Sequence, residues 1–166
     1  RRDVAIISLF YSSGLRVSEL INLNLSTLIL EENILRIIGK GNKERLVPIG
    51  KAAKLHLTQY LNEERSKYSN KGNSRGAVFL SNRGTILSRK TIWNLVKKHS
   101  LIANINKNIT PHTFRHSFAS HLLEGGADLR IVQELLGHSS ISTTQIYTHI
   151  DKTYLKEIHK EFHPRG

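Results

Sequence analysis

The residues with the greatest chemical potential in this chain are concentrated between Thr110 and Tyr147. His112 and Arg115 stand three positions apart, His138 follows a glycine, and Tyr147 comes soon after. Two further cations stand earlier, Arg16 in Gly14-Leu15-Arg16-Val17-Ser18-Glu19 and Lys40 between Gly39 and Gly41. Gathered at one point, these six side chains would surround a phenol with guanidinium, imidazole and ammonium groups. A phosphodiester attacked by an oxygen nucleophile collects negative charge on its non-bridging oxygens, and arginine forks and histidine N–H groups are the donors that match it. The leaving alkoxide needs a proton, which Lys40 is suited to deliver. Tyr147 would be the nucleophile. A phenol with a pKa of about 10 is only about 0.1% ionised near neutral pH, so cationic surroundings must lower that value and a neutral imidazole, His112 or His138, must accept the proton. Because the arginines supply the electrostatic stabilisation, this chemistry needs neither a metal nor another cofactor.

Other readings of the same residues are weaker. His112 and His116 form H-x-x-x-H, one helical turn apart as in zinc helices, but Thr113 occupies the position where a zinc hydrolase carries its glutamate. A serine hydrolase built on Ser117 lacks the glycines of a nucleophile elbow. A helix-turn-helix around Gly125-Gly126, binding DNA without chemistry, would leave the two histidines, two arginines and the tyrosine with no reason for their arrangement.

Several elements must position these groups. Thr110 suits an N-cap and Pro111 the first helical position, which puts His112 and Arg115 on one face of a first turn. Phe114, Phe118 and Leu122 recur at helical spacing and anchor that helix in a core, and Gly125-Gly126 ends it. Asp128 caps a second helix through Leu129, Val132, Leu135 and Leu136, which Gly137 terminates just before His138. Ser142 caps a third, carrying Tyr147. Such short helices depend on packing for their stability.

Upstream, Val4, Ile7, Leu9 and Phe10 predict a first helix with Asp3 as its cap and Gly14 at its end. Arg16 then sits at a helix junction, with Glu19 placed to orient its guanidinium. Thr27–Leu30, Ile34–Ile38 and Arg45–Ile49 read as a three-stranded antiparallel meander, with Pro48 suited to a strand end and a cationic tip at Gly39-Lys40-Gly41-Asn42-Lys43. Ala53, Leu57, Tyr60 and Leu61 give an amphipathic helix. Ala77–Leu80 reads as a short strand. Ser88 caps a helix with core face Ile92, Leu95 and Val96, and its opposite face carries Arg89, Lys90, Asn94, Lys97 and Lys98. With Lys43, that face forms a candidate DNA-binding surface acting mainly through phosphate contacts. Leu155, Ile158 and Phe162 predict a small tail helix that packs on its own core or on a neighbouring subunit. The fold class is therefore mainly α with a small three-stranded antiparallel sheet.

The 166 residues suit one domain, 1–166, with a core of its own. Twenty-five Lys and Arg against thirteen Asp and Glu leave a net charge of +12 and a pI near 10.2, which favours a polyanionic partner. There is no cysteine, so disulfides and thiolate metal sites are excluded. No apolar run approaches the roughly 18 residues of a membrane span, and no signal peptide is visible, so a soluble cytoplasmic protein is expected. The chain has no Met and opens on Arg1-Arg2-Asp3 directly before a helical pattern, which predicts that it is a piece of a longer protein.

The blocks Gly14–Leu20, Gly39–Pro48, His112–His116, Leu135–Ser139 and Ser142–His149, in this order, resemble the catalytic domain of the tyrosine site-specific recombinases, in particular the bacterial Xer type. The likeness runs essentially end to end. It implies that Arg16 and Arg115 hold a scissile phosphate, that Lys40 protonates the leaving 5′ oxygen, that His112 is the acid/base histidine and that His138 contacts the phosphate. Tyr147 would form a 3′-phosphotyrosyl link, resolved by the 5′ hydroxyl of a partner strand without ATP or metal. It further implies double-stranded DNA with two inverted half-sites, a second Xer-type recombinase in a cyclic tetramer, a DNA translocase as activator, a role in chromosome dimer resolution, and a core-binding domain preceding this one. Strand cleavage is accordingly expected to be unchanged by EDTA. Strong inhibition, read as loss of the cleaved strand on a denaturing gel, would favour the His112/His116 metal reading instead.

Overall fold

The computed structural model describes residues 1–137 and, in the tail, residues 156, 157, 159, 160, 163 and 164. Helix α1 (Arg2–Ser13) buries Ala5, Ile6, Leu9 and Phe10 completely, a helical i, i+1, i+4, i+5 stripe. Val4, expected in that stripe, is 45% exposed, because the buried face is turned one position along. Asp3 is not the cap. Arg1 holds that place, and Asp3 lies in the first turn, bonded to Arg2 and to His99 Nε2 at 3.0 Å. Gly14 closes α1 at φ +62°, donating its N–H to Phe10 O at 3.0 Å. Helix α2 (Val17–Ile21) follows immediately.

The meander forms as β1 (Leu28–Ile29), β2 (Ile34–Ile38) and β3 (Glu44–Pro48), antiparallel and in sheet order β1-β2-β3. β2 and β3 pair from Ile34 opposite Pro48 to Ile38 opposite Glu44. β1 is shorter than its apolar run because 3₁₀ turns at Leu25–Thr27 and Leu30–Glu32 flank it, the first held by Asn24 Oδ1 accepting from the Ser26 N–H at 3.0 Å. The β2–β3 tip winds through a 3₁₀ turn at Lys40–Asn42, with Gly41 and Asn42 at positive φ, and Gly39 N–H donates to Lys43 O at 2.7 Å. Pro48 ends β3 on a sheet edge, where its missing N–H costs no ladder bond.

Alternation along the strands divides the interior. Leu35, Ile37, Val47 and Ile49 join the larger core with α1, α2, α3 (Lys51–Glu63) and α5 (Arg89–Ile102). Ile34 and Leu46 join a second cluster with α6 (Pro111–Glu124) and α7 (Leu129–Leu136). A short α4 (Arg65–Ser69) follows α3. Ala77–Leu80 is buried but is not a strand; only the single bridges Asn24 to Ala77 and Leu80 to Ile86 form. Side chains have replaced the ladder: Tyr60 Oη donates to Val78 O and accepts from the Leu80 N–H, and Arg65 donates to Ala77 O.

The helix boundaries follow the cap residues. Ser88 Oγ accepts the Thr91 N–H and Asp128 Oδ1 the Arg130 N–H, while Gly137 ends α7 at φ +74°. Leu129 faces out, since Val132, Leu135 and Leu136 make the buried stripe of α7. Of the tail, His159 and His163 are buried against this chain's own α1, their Nε2 atoms 2.7 Å from Ser12 O and 3.0 Å from Tyr11 O. Leu155, Ile158 and Phe162 lie outside the described residues. Among those described, no helix is long and apolar enough to cross a membrane.

The α1–α6 contact is close at Gly14, where an added Cβ would lie 2.5 Å from the ring of fully buried Phe118. Gly14→Ala is expected to lower stability by about 2–4 kcal/mol, combining left-handed backbone strain with overpacking. Urea unfolding checks this; an unchanged midpoint would contradict the contact.

Candidate active site

Helix α6 starts as its sequence prescribes, with Pro111 in the first position and the Thr110 N–H donating to Thr113 Oγ1 at 3.0 Å. Phe118 and Leu122 fasten the helix to the core, and Arg115 emerges half-buried from its first turns. Arg115 Nη1 donates to Gly14 O at 2.6 Å and Nη2 to Leu136 O at 2.8 Å. One guanidinium thus joins the C-terminal ends of α1 and α7 to α6. Helix C-termini leave carbonyls without intrahelical partners, and a cation is the favoured group to satisfy them. Burial pushes the Arg115 guanidinium down to about 10; the positive charges of Arg16 and Arg45 push the same way, and Glu19 opposes them.

Glu19 does not orient the Arg16 guanidinium as expected. Its Oε1 accepts the backbone N–H of Arg16 at 2.8 Å, reaching back across the first turn of α2. Both carboxylate oxygens face Arg45, with Nη1 on Oε2 and Nη2 3.1 Å from Oε1, and the two residues are only 5% and 7% exposed. The local geometry explains the difference. A carboxylate three residues into a helix lies over the cap N–H, and its free side points inward to β3, whereas the Arg16 side chain is exposed. Arg45 Nε donates in turn to Leu135 O at 2.9 Å. Burial by itself raises the Glu19 carboxyl, but the Arg45 hydrogen bond and charge, the Arg16 N–H and the charge of Arg115 together bring it below the ordinary glutamate value.

Arg45 is the residue that sequence reasoning missed as part of the site. Its signal was present: a lone cation in the strand run Arg45-Leu46-Val47, in a stretch that had to be buried. The base of the hairpin and the end of α7 rest on this pair. A Cβ on Gly39 would lie 3.6 Å from Glu19 Oε2, so the hairpin base rests on the carboxylate and Lys40, exposed, is the next residue. A Cβ on Gly137 would meet Arg45 Cδ at 2.9 Å, so the end of α7 rests directly on Arg45. His112 is exposed one turn before Arg115. His138 and Tyr147 lie outside the described residues.

The candidate DNA surface is exposed throughout: Arg89, Lys90, Asn94, Lys97 and Lys98 on α5, and Lys43 at the hairpin. His112 and His116 are both exposed, and among the described residues no group of three or more His, Asp or Glu is placed to hold a metal. Three guanidinium groups against one carboxylate leave a surplus of positive charge, which makes an anion such as a phosphodiester the natural occupant.

Glu19→Gln keeps an acceptor for the Arg16 N–H but leaves Arg45 buried without a counter-charge, and is expected to cost about 3–5 kcal/mol near neutral pH. Since the folded carboxyl lies below its ordinary 4.5, its contribution is complete above that value and is lost as pH falls through the lower folded value. The stability gap between wild type and variant should therefore hold constant above that range and narrow below it, as read by urea unfolding at a series of pH values.

The Phage integrase family model matches residues 1–153. Tyrosine recombinase XerD of Chlorobaculum tepidum is 54% identical over 99% of this chain and 54% of its own length, and XerD of Oceanobacillus iheyensis is 51% identical over 99% and 56%. The chain thus spans about half the length of the curated relatives it matches. Among solved structures, XerA recombinase superposes with a TM-score of 0.74 at 34% identity, covering 98% of this chain and 58% of that one. XerH site-specific recombinase bound to its difH substrate, in a pre-cleavage complex, gives 0.72 at 31% identity over 94% and 45%. Matched by the family model over nearly its full length and by Xer-type tyrosine recombinases from end to end, the chain belongs to the phage integrase family.

Proposed function

We propose that this chain is the catalytic domain of a site-specific DNA recombinase that cleaves and rejoins strands through a 3′-phosphotyrosyl link on Tyr147. The observation that carries this reading is the charge arrangement: Arg115 and Arg16 near enough to act on each other's charge, steadied from beneath by Glu19 and Arg45, with His112 one turn away. The two arginines bind the non-bridging oxygens of the scissile phosphate. Tyr147 Oη attacks phosphorus as His112 accepts its proton, with His138 donating to a phosphate oxygen. The bond from phosphorus to the 5′ oxygen breaks, and Lys40, on its glycine-flanked tip, supplies the proton to that oxygen. The 5′ hydroxyl of a partner strand then attacks the phosphotyrosine and restores the phenol, so bond energy is conserved.

The substrate is double-stranded DNA with two inverted half-sites, positioned by Lys43, Arg89, Lys90, Asn94 and Lys97. The net charge of +12 and the difH-bound XerH relative support this substrate. A core-binding domain preceding this one completes the grip, a second Xer-type recombinase completes a cyclic tetramer, and a DNA translocase activates it. The setting is the bacterial cytoplasm and the role is chromosome dimer resolution, in keeping with the XerD relatives.

Tyr147→Phe is expected to bind DNA as wild type does and to form no covalent adduct. Trapping on a nicked suicide duplex with a Xer-type half-site, at low salt because phosphate contacts are salt-sensitive, reads both properties. An adduct that persists in the variant would overturn the assignment.

A further inference from the structure

We infer that Trp93 is a positioning residue for His112, its indole holding the imidazole in the direction that proton transfer requires. The inference rests on the proposed acid/base role of His112. His112 is exposed in the first turn of α6, and among the described residues its imidazole has no hydrogen-bond partner. An acid/base histidine is normally oriented by a third group, such as a carboxylate or a carbonyl, because an exposed ring otherwise samples several rotamers. Here the contact is aromatic. The Trp93 and His112 ring centroids lie 5.9 Å apart at an interplanar angle of 65°, the T-shaped geometry that sets the positive edge of one ring against the negative face of the other.

Trp93 lies off the core face of α5. That face is Ile92, Leu95 and Val96, fully or nearly buried, while Trp93 is 38% exposed. It stands four residues after Arg89, three after Lys90 and four before Lys97, bordering the basic face proposed to meet DNA. The helix that would locate the phosphate backbone thereby also sets the angle of the group that would take the nucleophile's proton.

Trp93 is the only tryptophan in the chain, so its emission reports this contact without labelling. An imidazole packed against an indole perturbs its emission. At one fixed pH, the emission of the 166-residue chain is expected to change in His112→Asn and to stay as in wild type in His116→Asn. Emission unchanged in His112→Asn overturns the contact. In single-turnover cleavage of the suicide duplex, Trp93→Ala is expected to slow adduct formation about 10-fold at unchanged half-site affinity, and Trp93→Phe, which keeps an aromatic partner, to recover most of the rate. A rate equal to wild type in Trp93→Ala, or a rate loss matched by lost affinity, overturns the positioning role. No adduct from wild type in the presence of its full-length partners would overturn the proposed function and this role together, while the emission comparison still reports the contact by itself.

Discussion

The site depends on one buried ion pair, Glu19 with Arg45. Removing both charges from water is expensive, and their attraction compensates only when the remaining donors and acceptors are also satisfied. Here they are: the carboxylate takes the Arg16 N–H, and the guanidinium gives its Nε–H to Leu135 O. The pair therefore binds α2, β3 and α7 through bonds that fail together. It also makes the surroundings tolerable for Arg115, a third guanidinium close enough to feel Arg16 and Arg45. Without the Glu19 carboxylate the charges of Arg45 and Arg115 would repel one another in a poorly solvated place.

A second regularity runs through the structure, the use of carbonyls at helix C-termini. Arg115 takes Gly14 O beyond α1 and Leu136 O at the end of α7, and Arg45 takes Leu135 O. His159 and His163 of the tail approach Ser12 O and Tyr11 O at the same end of α1. The C-terminal ends of α1 and α7, which would otherwise expose bare acceptors, become attachment points for cations and imidazoles. The arrangement brings the tail close to the segment that receives Arg115, because Ser12 and Gly14 are two residues apart.

Packing sets how firmly these attachments are aimed. The sheet lies between the two hydrophobic clusters, with alternate residues of β2 and β3 serving each. Helix α6 contributes Phe118 and Leu122 to one cluster and lets partly buried Phe114 rest on the other, so the face carrying His112 and Arg115 has little freedom to rotate. Gly14, against the Phe118 ring, allows α1 and α6 to approach closely enough for the Arg115 bond to the Gly14 carbonyl.

What the amino-acid sequence determined by itself was local. Ser88, Thr110-Pro111, Asp128, Gly14 and Gly137 mark helix ends because capping is chemistry between neighbours, and the alternating apolar residues with glycine-rich turns specify the hairpin for the same reason. The order and types of Arg16, Lys40, His112, Arg115, His138 and Tyr147 were equally legible, and with them the family. Tertiary structure decided which charges meet. Glu19 lies three residues from Arg16 but pairs with Arg45, 26 residues away, because the helix turns its carboxylate inward and β3 brings a buried guanidinium to it. It also decided that Ala77–Leu80 takes hydrogen bonds from Tyr60, Arg65 and single backbone contacts in place of a continuous strand ladder, and that Trp93 stands against His112. Each of these is a contact between segments distant in sequence, where proximity is set by how the two cores pack and leaves no mark on the spacing of the residues themselves.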